Sequence, residues 1–310
     1  MVPAGTVEPG LGGTQDTPAL YVVEPGAVLR KSGDRLLVVK DAQTLLEVEL
    51  TRLTSVVLLS TVQVTTQALC ALLEAGLELA LITAQGKLLG QLTPPLARNL
   101  ALRRAQYQKE TEELFTFRLA RTVTVAKLSN QAEVLRRYSW DQSGAQPAVE
   151  EATARIERTL SAVETVSGLE QLRGLEGTAA AAYWGAFSTL VHSQGFVFTG
   201  REYHPPPDPV NALLSFGYAL LTNLLTSALD AYGFDPFLGF FHAETYGHPS
   251  LALDLVEPFR APVVDRMVLR LLGLRMLAPS DFEPSEEGGV RMNDRARESS
   301  FVSGRARWPG

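Results

Sequence analysis

Between Gly239 and Asp265 the chain reads GFFHAETYGHPSLALDLVEPFRAPVVD, which sets His242, Asp254 and Glu257 in a short apolar frame. His242 reads as a loop residue, whereas Asp254 and Glu257 lie three apart on a predicted helix and share one face. An imidazole with two carboxylates suits a divalent cation, Mn²⁺ or Mg²⁺, the nitrogen ligand favouring manganese. Such an ion activates a nucleophile or polarises a phosphate. Each residue also has a plainer reading. His242 can be a buried histidine satisfied by a carbonyl, and the two acids can be surface charge balancing Arg260.

A further carboxylate, Glu176, stands in RGLEGTAAAAYW, where Gly174, Gly177 and four alanines would let neighbouring backbones approach closely. There it either pairs with a base or serves as a ligand. His248 follows His242 by six residues, but Gly247-His248-Pro249 reads as a turn and the spacing is not that of a zincin helix. It is assigned as a turn or substrate-contact residue. The chain contains no GxSxG, P-loop, GxGxxG or cysteine pair, which narrows the chemistry to metal-assisted reactions or none.

These residues must be positioned by a chain of 310 residues with net charge −6, long enough for two modest domains. The acidic balance argues against nucleic acid, whose affinity rests on Lys and Arg. Its distribution qualifies that: residues 91–130 hold seven Lys or Arg, Arg103 and Arg104 among them, against three Glu. Such a run is either a solvated face or a track for phosphates. The single cysteine, Cys70, falls in an apolar helical run and is expected as a packed core thiol in a reducing cytoplasm. Residues 1–18 lack the pattern of a secretory signal and are expected to form a disordered leader. Asn211–Leu229 is apolar but interrupted by Ser, Thr and Asn, which predicts a bundle-core helix and no membrane span.

From Ala19 to about Leu92, short apolar runs alternate with turn residues such as Ser32-Gly33-Asp34 and Gln85-Gly86. They predict a small, mostly antiparallel β-sandwich interrupted by one helix, Thr66–Ala75, capped by Gly76. Thr93-Pro94-Pro95 ends it. Beyond, a 3.6-residue period predicts a long helix from Leu96 to about Val125, then helices at 131–138, 148–166, 169–192, 211–232 and 250–274, the last kinked at Pro258 and Pro262. The fold class is therefore α+β. Residues 19–93 would form a β-rich domain, 94–280 an all-helical catalytic domain and 281–310 a mobile tail.

The segments LYVVEPGAVLRKSGDRLLVV, KLSNQAEVLRR, GLEGTAAAAYW, DPVNALLSFGYALL and GFDPFLGFFHAETYGHPSLALDLVEPFRAPVVD, in this order, resemble CRISPR-associated protein one, the integrase family of CRISPR adaptation. The resemblance runs from about Leu20 to about Arg297 and implies an N-terminal dimerisation domain and a homodimer. It also implies a helical domain that cuts and joins double-stranded DNA with Mn²⁺ or Mg²⁺, inserting short fragments into the CRISPR repeat. Position by position it makes Glu176, His242 and Glu257 metal ligands and Asp254 a supporting acid. Arg103, Arg104, His248 and Arg260 become candidate DNA contacts, and the small CRISPR-associated protein two a partner that shares the electrostatic load. Glu257 stands where some members carry aspartate, Ser60-Thr61 where a glycine turn is common, and VSGRARWPG where a final helix is usual. Two other readings fit: a catalytically inactive DNA-binding subunit, and a metal-dependent phosphodiesterase acting on small substrates.

Overall fold

The computed structural model describes residues 19–59, 61–83, 88–93, 99–139, 146–191, 196–202, 205–242, 247–285, 288–293 and 295–296. The expected leader, Ser60, the Gln85-Gly86 turn, Pro94-Pro95 and the closing VSGRARWPG lie outside the described residues. The chain divides into two units, 1–96 and 97–310.

The first unit contains two four-stranded sheets. One is built from β2 (Val28–Ser32), β3 (Arg35–Lys40), β4 (Gln43–Glu49) and β6 (Gln63–Val64), in the order β4-β3-β2-β6. Ser32 faces Arg35 across the β2–β3 hairpin, and Gly33 takes the left-handed conformation, φ +58°, that the two-residue turn requires. The other sheet orders β1 (Leu20–Val22), β5 (Ser55–Leu59), β7 (Glu78–Ile82) and β8 (Leu88–Leu92) as β1-β5-β7-β8. Its β1–β5 and β5–β7 pairs are parallel, as is β2–β6, so the expected mostly antiparallel pairing is corrected.

For β5–β7 the cause is α1 (Thr66–Glu74), because a helical crossover returns the chain to the same end of the sheet and lays β7 parallel to β5. Its caps are legible residue by residue. Thr65 Oγ1 accepts from Ala68 N, and Gly76 at φ +72° lets Leu77 N reach Leu72 O at 2.8 Å. The buried positions of α1 are Ala68, Ala71 and Leu72, and Cys70 turns away from them. Cys70 is exposed, not the core thiol expected.

The second unit is helical except for its last described segment. It comprises α2 (Leu100–Glu110), α3 (Glu113–Ser139), α4 (Gln146–Val163), α5 (Leu169–Leu190), α6 (Pro209–Tyr232), α7 (Ser250–Phe259) and α8 (Arg266–Gly273). The predicted helix from Leu96 to Val125 is instead broken at Thr111-Glu112. The stretch expected to separate it from residues 131–138 is continuous helix, as Leu128 is fully buried. α6 opens on an N-cap aspartate, Asp208, whose side chain accepts from Asn211 N, with Pro209 at the first position; it closes on Gly233 at φ +92°. α6 is long and apolar enough to cross a bilayer by composition, yet half of that stretch is buried, with Val210, Leu213, Leu214 and Phe216 in the core.

Helix α7 does not simply kink at its prolines. Residues 260–265 form a π-helical turn that runs straight into α8. Pro262 has no N–H for the carbonyl of Pro258, four residues back. Asn130 Nδ2 donates to that carbonyl at 2.8 Å, so α3 satisfies what the proline leaves open. Close approach needs glycine nearby: a Cβ on Gly217 would lie 2.5 Å from Val264 Cγ1, and one on Gly239 would lie 2.6 Å from Ser250 Cβ.

The tail expected from residue 281 begins instead with a hairpin of β9 (Phe282–Pro284) and β10 (Val290–Met292). Val290 N donates to Pro206 O, and Met292 and Ala296 join the helical core. Asp281, 2 % exposed, accepts from Ala278 N and so pins the entry to the hairpin.

One buried acid sits within this core. Asp265 closes the π-turn and accepts from the hydroxyls of Tyr183, at 2.7 Å, and Tyr218. Burial pushes its carboxyl up to about 6, against the opposing pull of both hydroxyls and of Arg260 and Arg201. Its folded value exceeds the ordinary one, so it contributes stability that is complete below about pH 4 and lost as pH rises through about 6. Asp265→Asn is expected to remove that slope. The difference in urea midpoint between variant and wild type should change between pH 4 and pH 6 and stay flat above; a constant difference would refute the assignment.

Candidate functional site

Asp254 organises the loop that carries His242. The aspartate projects from α7, is 1 % exposed, and accepts from three consecutive amides: Phe240 N (2.6 Å) and Phe241 N (3.0 Å) on Oδ2, and His242 N (2.8 Å) on Oδ1. Successive N–H groups aimed at one carboxylate form an anion nest, and here the anion is built in. His242 Nδ1 lies 2.7 Å from Asp254 Oδ1. With the carboxylate as acceptor, the imidazole carries its proton on Nδ1 and keeps the Nε2 lone pair available. Arg173 braces the same loop, donating to Phe241 O at 2.8 Å and lying over the Phe241 ring. All of the contacts described for Asp254 are made to this loop, which marks it as a positioning residue.

One turn further along α7 is Glu257, 3 % exposed. It pairs with Arg260 at 3.0 Å and with Lys127 of α3 at 2.5 Å. The Lys127 ammonium also pairs with Glu176 of α5, so two carboxylates from separate helices meet at one cation. Burial alone would raise the Glu257 carboxyl, but Arg260 and Lys127 outweigh it and hold it below the usual carboxylate range. Burial likewise opposes the charge on Lys127, and Glu257 and Glu176 together reverse that, raising its value. The cluster is an acid-base-acid arrangement whose charges hold one another ionised.

The predicted site residues are thus partly assembled. Glu176 and Glu257 converge, and His242 stands on a loop hung from the same helix as Glu257. Two carboxylates already sharing one cation, with an imidazole presenting Nε2, have the donor chemistry a divalent ion takes. Among the described residues, however, no three His, Cys, Asp or Glu side chains are gathered closely enough to hold a metal. The ammonium of Lys127 stands between the carboxylates instead. Gly174 and Gly177, expected to admit a neighbouring backbone, face open space; close packing on α5 falls at Ala179.

Of the four candidate DNA contacts, Arg104 and His248 are exposed. Arg103 Nε instead donates to Gly233 O and ties α2 to the end of α6, and Arg260 stacks on Tyr218 at 4.8 Å while pairing with Glu257. Neither Lys127 nor Asn130 is singled out by charge or spacing. Both lie in KLSNQ, three apart on α3, within a segment that carries the family resemblance.

A two-unit α+β chain with an acidic cluster buried among helices defines a class, and comparison with known proteins gives the family. Residues 20–303 match the model of CRISPR associated protein Cas1. CRISPR-associated endonuclease Cas1 2 of Rhodospirillum rubrum is 37% identical over 289 residues, 90% of this chain and 83% of the relative. Among solved structures, a casposase bound to integration product superposes with TM-score 0.76 at 22% identity, covering 92% of this chain and 81% of that one. A Cas6-RT-Cas1–Cas2 complex superposes with TM-score 0.77 at 24% identity, covering 95% of this chain and 32% of that one. The chain belongs to the Cas1 family of CRISPR-associated endonucleases.

The Asp254 nest predicts the effect of Asp254→Asn. An amide has one acceptor oxygen and presents N–H groups to N–H groups, so the loop should detach at a cost of about 2–4 kcal/mol. Thermal melting and faster hydrogen exchange at Phe240–His242 would report it. Unchanged protection of those amides would show that the loop is held by something else.

Proposed function

We propose that the chain is the integrase of CRISPR adaptation: it joins the 3′-hydroxyl ends of short double-stranded DNA fragments to the edge of a CRISPR repeat. The observation that carries this reading is the convergence of Glu176 and Glu257 at a single cation, beside an imidazole fixed by Asp254, in a chain of this family. Glu176, His242 and Glu257 would hold Mn²⁺ or Mg²⁺. Such an ion, when bound, acts as a Lewis acid on a phosphate oxygen and offsets the charge that develops in an in-line displacement.

The residues of the chain supply the rest. In the transfer, the incoming 3′-oxygen forms a bond to phosphorus as the bond to the departing 3′-oxygen of the repeat strand breaks. The incoming hydroxyl gives up its proton and the departing oxygen gains one, so the number of phosphodiesters is unchanged. Water in place of the hydroxyl gives endonuclease cleavage. Asp254 keeps the His242 ring in one orientation and one tautomer, and Arg260 holds Glu257 ionised. Exposed Arg104 would follow the duplex by phosphate contacts, which position without reading sequence. A homodimer working with CRISPR-associated protein two in the cytoplasm completes the proposal. A net charge of −6 favours such a partner, because the chain alone offers little positive field.

Strand transfer into supercoiled, repeat-bearing DNA, with and without the small partner and with Mn²⁺ or Mg²⁺, tests this directly. Glu176→Ala and His242→Ala are each expected to abolish transfer while leaving the melting transition close to that of the parent. Full transfer by either purified variant would overturn the site. The inactive DNA-binding reading draws on one observation, the ammonium lodged between the acids; retained DNA affinity with no metal-dependent chemistry would favour it.

The two neighbouring arginines should separate in a binding titration. Arg104→Ala is expected to lower the slope of log K against log salt by about 0.9, one phosphate contact. Arg103→Ala, which breaks a bond to Gly233, should lower thermal stability instead. An unchanged salt slope for Arg104→Ala would move the DNA surface elsewhere.

A further inference from the structure

Lys127 reaches from α3 into the space between α5 and α7, where its ammonium contacts Glu176 and lies 2.5 Å from Glu257 Oε2. Its side chain is 13 % exposed and that of Glu257 3 %. Without the lysine, the two carboxylates would face each other, with Arg260 paired to Glu257. The ammonium is therefore the charge that lets Glu176 and Glu257 stand together. It contacts one oxygen of each, Oε1 of Glu176 and Oε2 of Glu257, and a divalent ion cannot take those same oxygens at bonding distance while the ammonium stays.

We propose that Lys127 is a resident counter-ion of the Glu176–Glu257 pair, and that a divalent cation enters by exchange with its ammonium, which swings out of the cleft. This rests on the integrase reading only in taking the cleft as the metal site. It accounts for the lack of three gathered ligands among the described residues: the lysine holds the acids at a spacing suited to an ammonium. The side chain has the means to leave. It is a flexible four-carbon stem, and the cleft is more open at its Glu176 end, where the acid is 21 % exposed against 3 % for Glu257. The exchange keeps the cluster near neutrality, whereas adding two positive charges to a site already balanced by Lys127 and Arg260 would not.

Two measurements on the whole protein test the exchange. In the wild type, labelling of the Lys127 amine by an acetylating reagent, followed by mass spectrometry, should rise severalfold when Mn²⁺ is added to saturation. Lys127→Met should bind Mn²⁺ roughly tenfold more tightly by calorimetry, because the fraction of sites open to metal no longer depends on an ion pair breaking. That variant should also melt lower than the wild type without metal and gain more on adding it. Mn²⁺ binding with unchanged Lys127 labelling would overturn the exchange and leave the integrase reading intact, as would a folded Lys127→Met that binds no more tightly. Absence of any Mn²⁺ binding by the wild type would overturn both. Should Lys127→Met fail to fold, the labelling of the wild type decides alone.

Discussion

The helical unit depends on one ion-pair cluster, in which the Lys127 ammonium of α3 joins Glu176 of α5 to Glu257 of α7. The three residues are far apart in the chain, so the pairing joins at one point three helices that a shared apolar core already holds side by side. Removing one partner of a buried pair costs about 3–5 kcal/mol, because the remaining charge is left without compensation. Glu176 is the more exposed acid and would be partly rescued by water, so the burden falls on Glu257. Arg260 and Asn130 act at the same junction. One neutralises Glu257, and the other answers the carbonyl of Pro258, so charge and backbone are satisfied together.

Two other buried acids show how environment divides chemically identical groups. Asp254 is surrounded by backbone amides and fixes a loop; Asp265 is held by tyrosine hydroxyls inside an apolar core, where its ionisation is costly. Asp265 is linked to Glu257 through Arg260, which stacks on Tyr218, itself a donor to Asp265, and pairs with Glu257. The site is therefore continuous with the core. Its acids are positioned by groups whose own places are set by packing.

Much of this was legible in the sequence. The α7 spacing placed Asp254 and Glu257 on one side, Thr65 and Gly76 bounded α1, and Ser32-Gly33-Asp34 marked a hairpin, because each depends on neighbours within a few residues. What escaped depends on partners far along the chain. Parallel pairing of β5 with β7 follows from the crossover rather than from either strand's composition. Lys127 acquires meaning only when Glu176 and Glu257 arrive beside it. Cys70 is exposed although its run is apolar, because a nine-residue helix at a sheet surface hides one side only. The hairpin after residue 281 was obscured by polar composition, since its anchors are a buried aspartate and two contacts made by Met292 and Ala296.

The widened turn at residues 260–265 has a consequence for how the unit tolerates change. An i→i+5 turn accommodates one residue more than a regular one, and each residue advances a helix by about 100°. By absorbing that residue the turn keeps the phase in which Val268, Leu269, Leu271 and Leu272 point inward. A one-residue deletion there would let the turn close up to regular helix and leave the apolar stripe of α8 facing the core, whereas the same deletion within α8 would swing the residues beyond it by about 100°. The junction between the reactive and packing faces of one continuous rod is in this way the place where chain length can change at least cost.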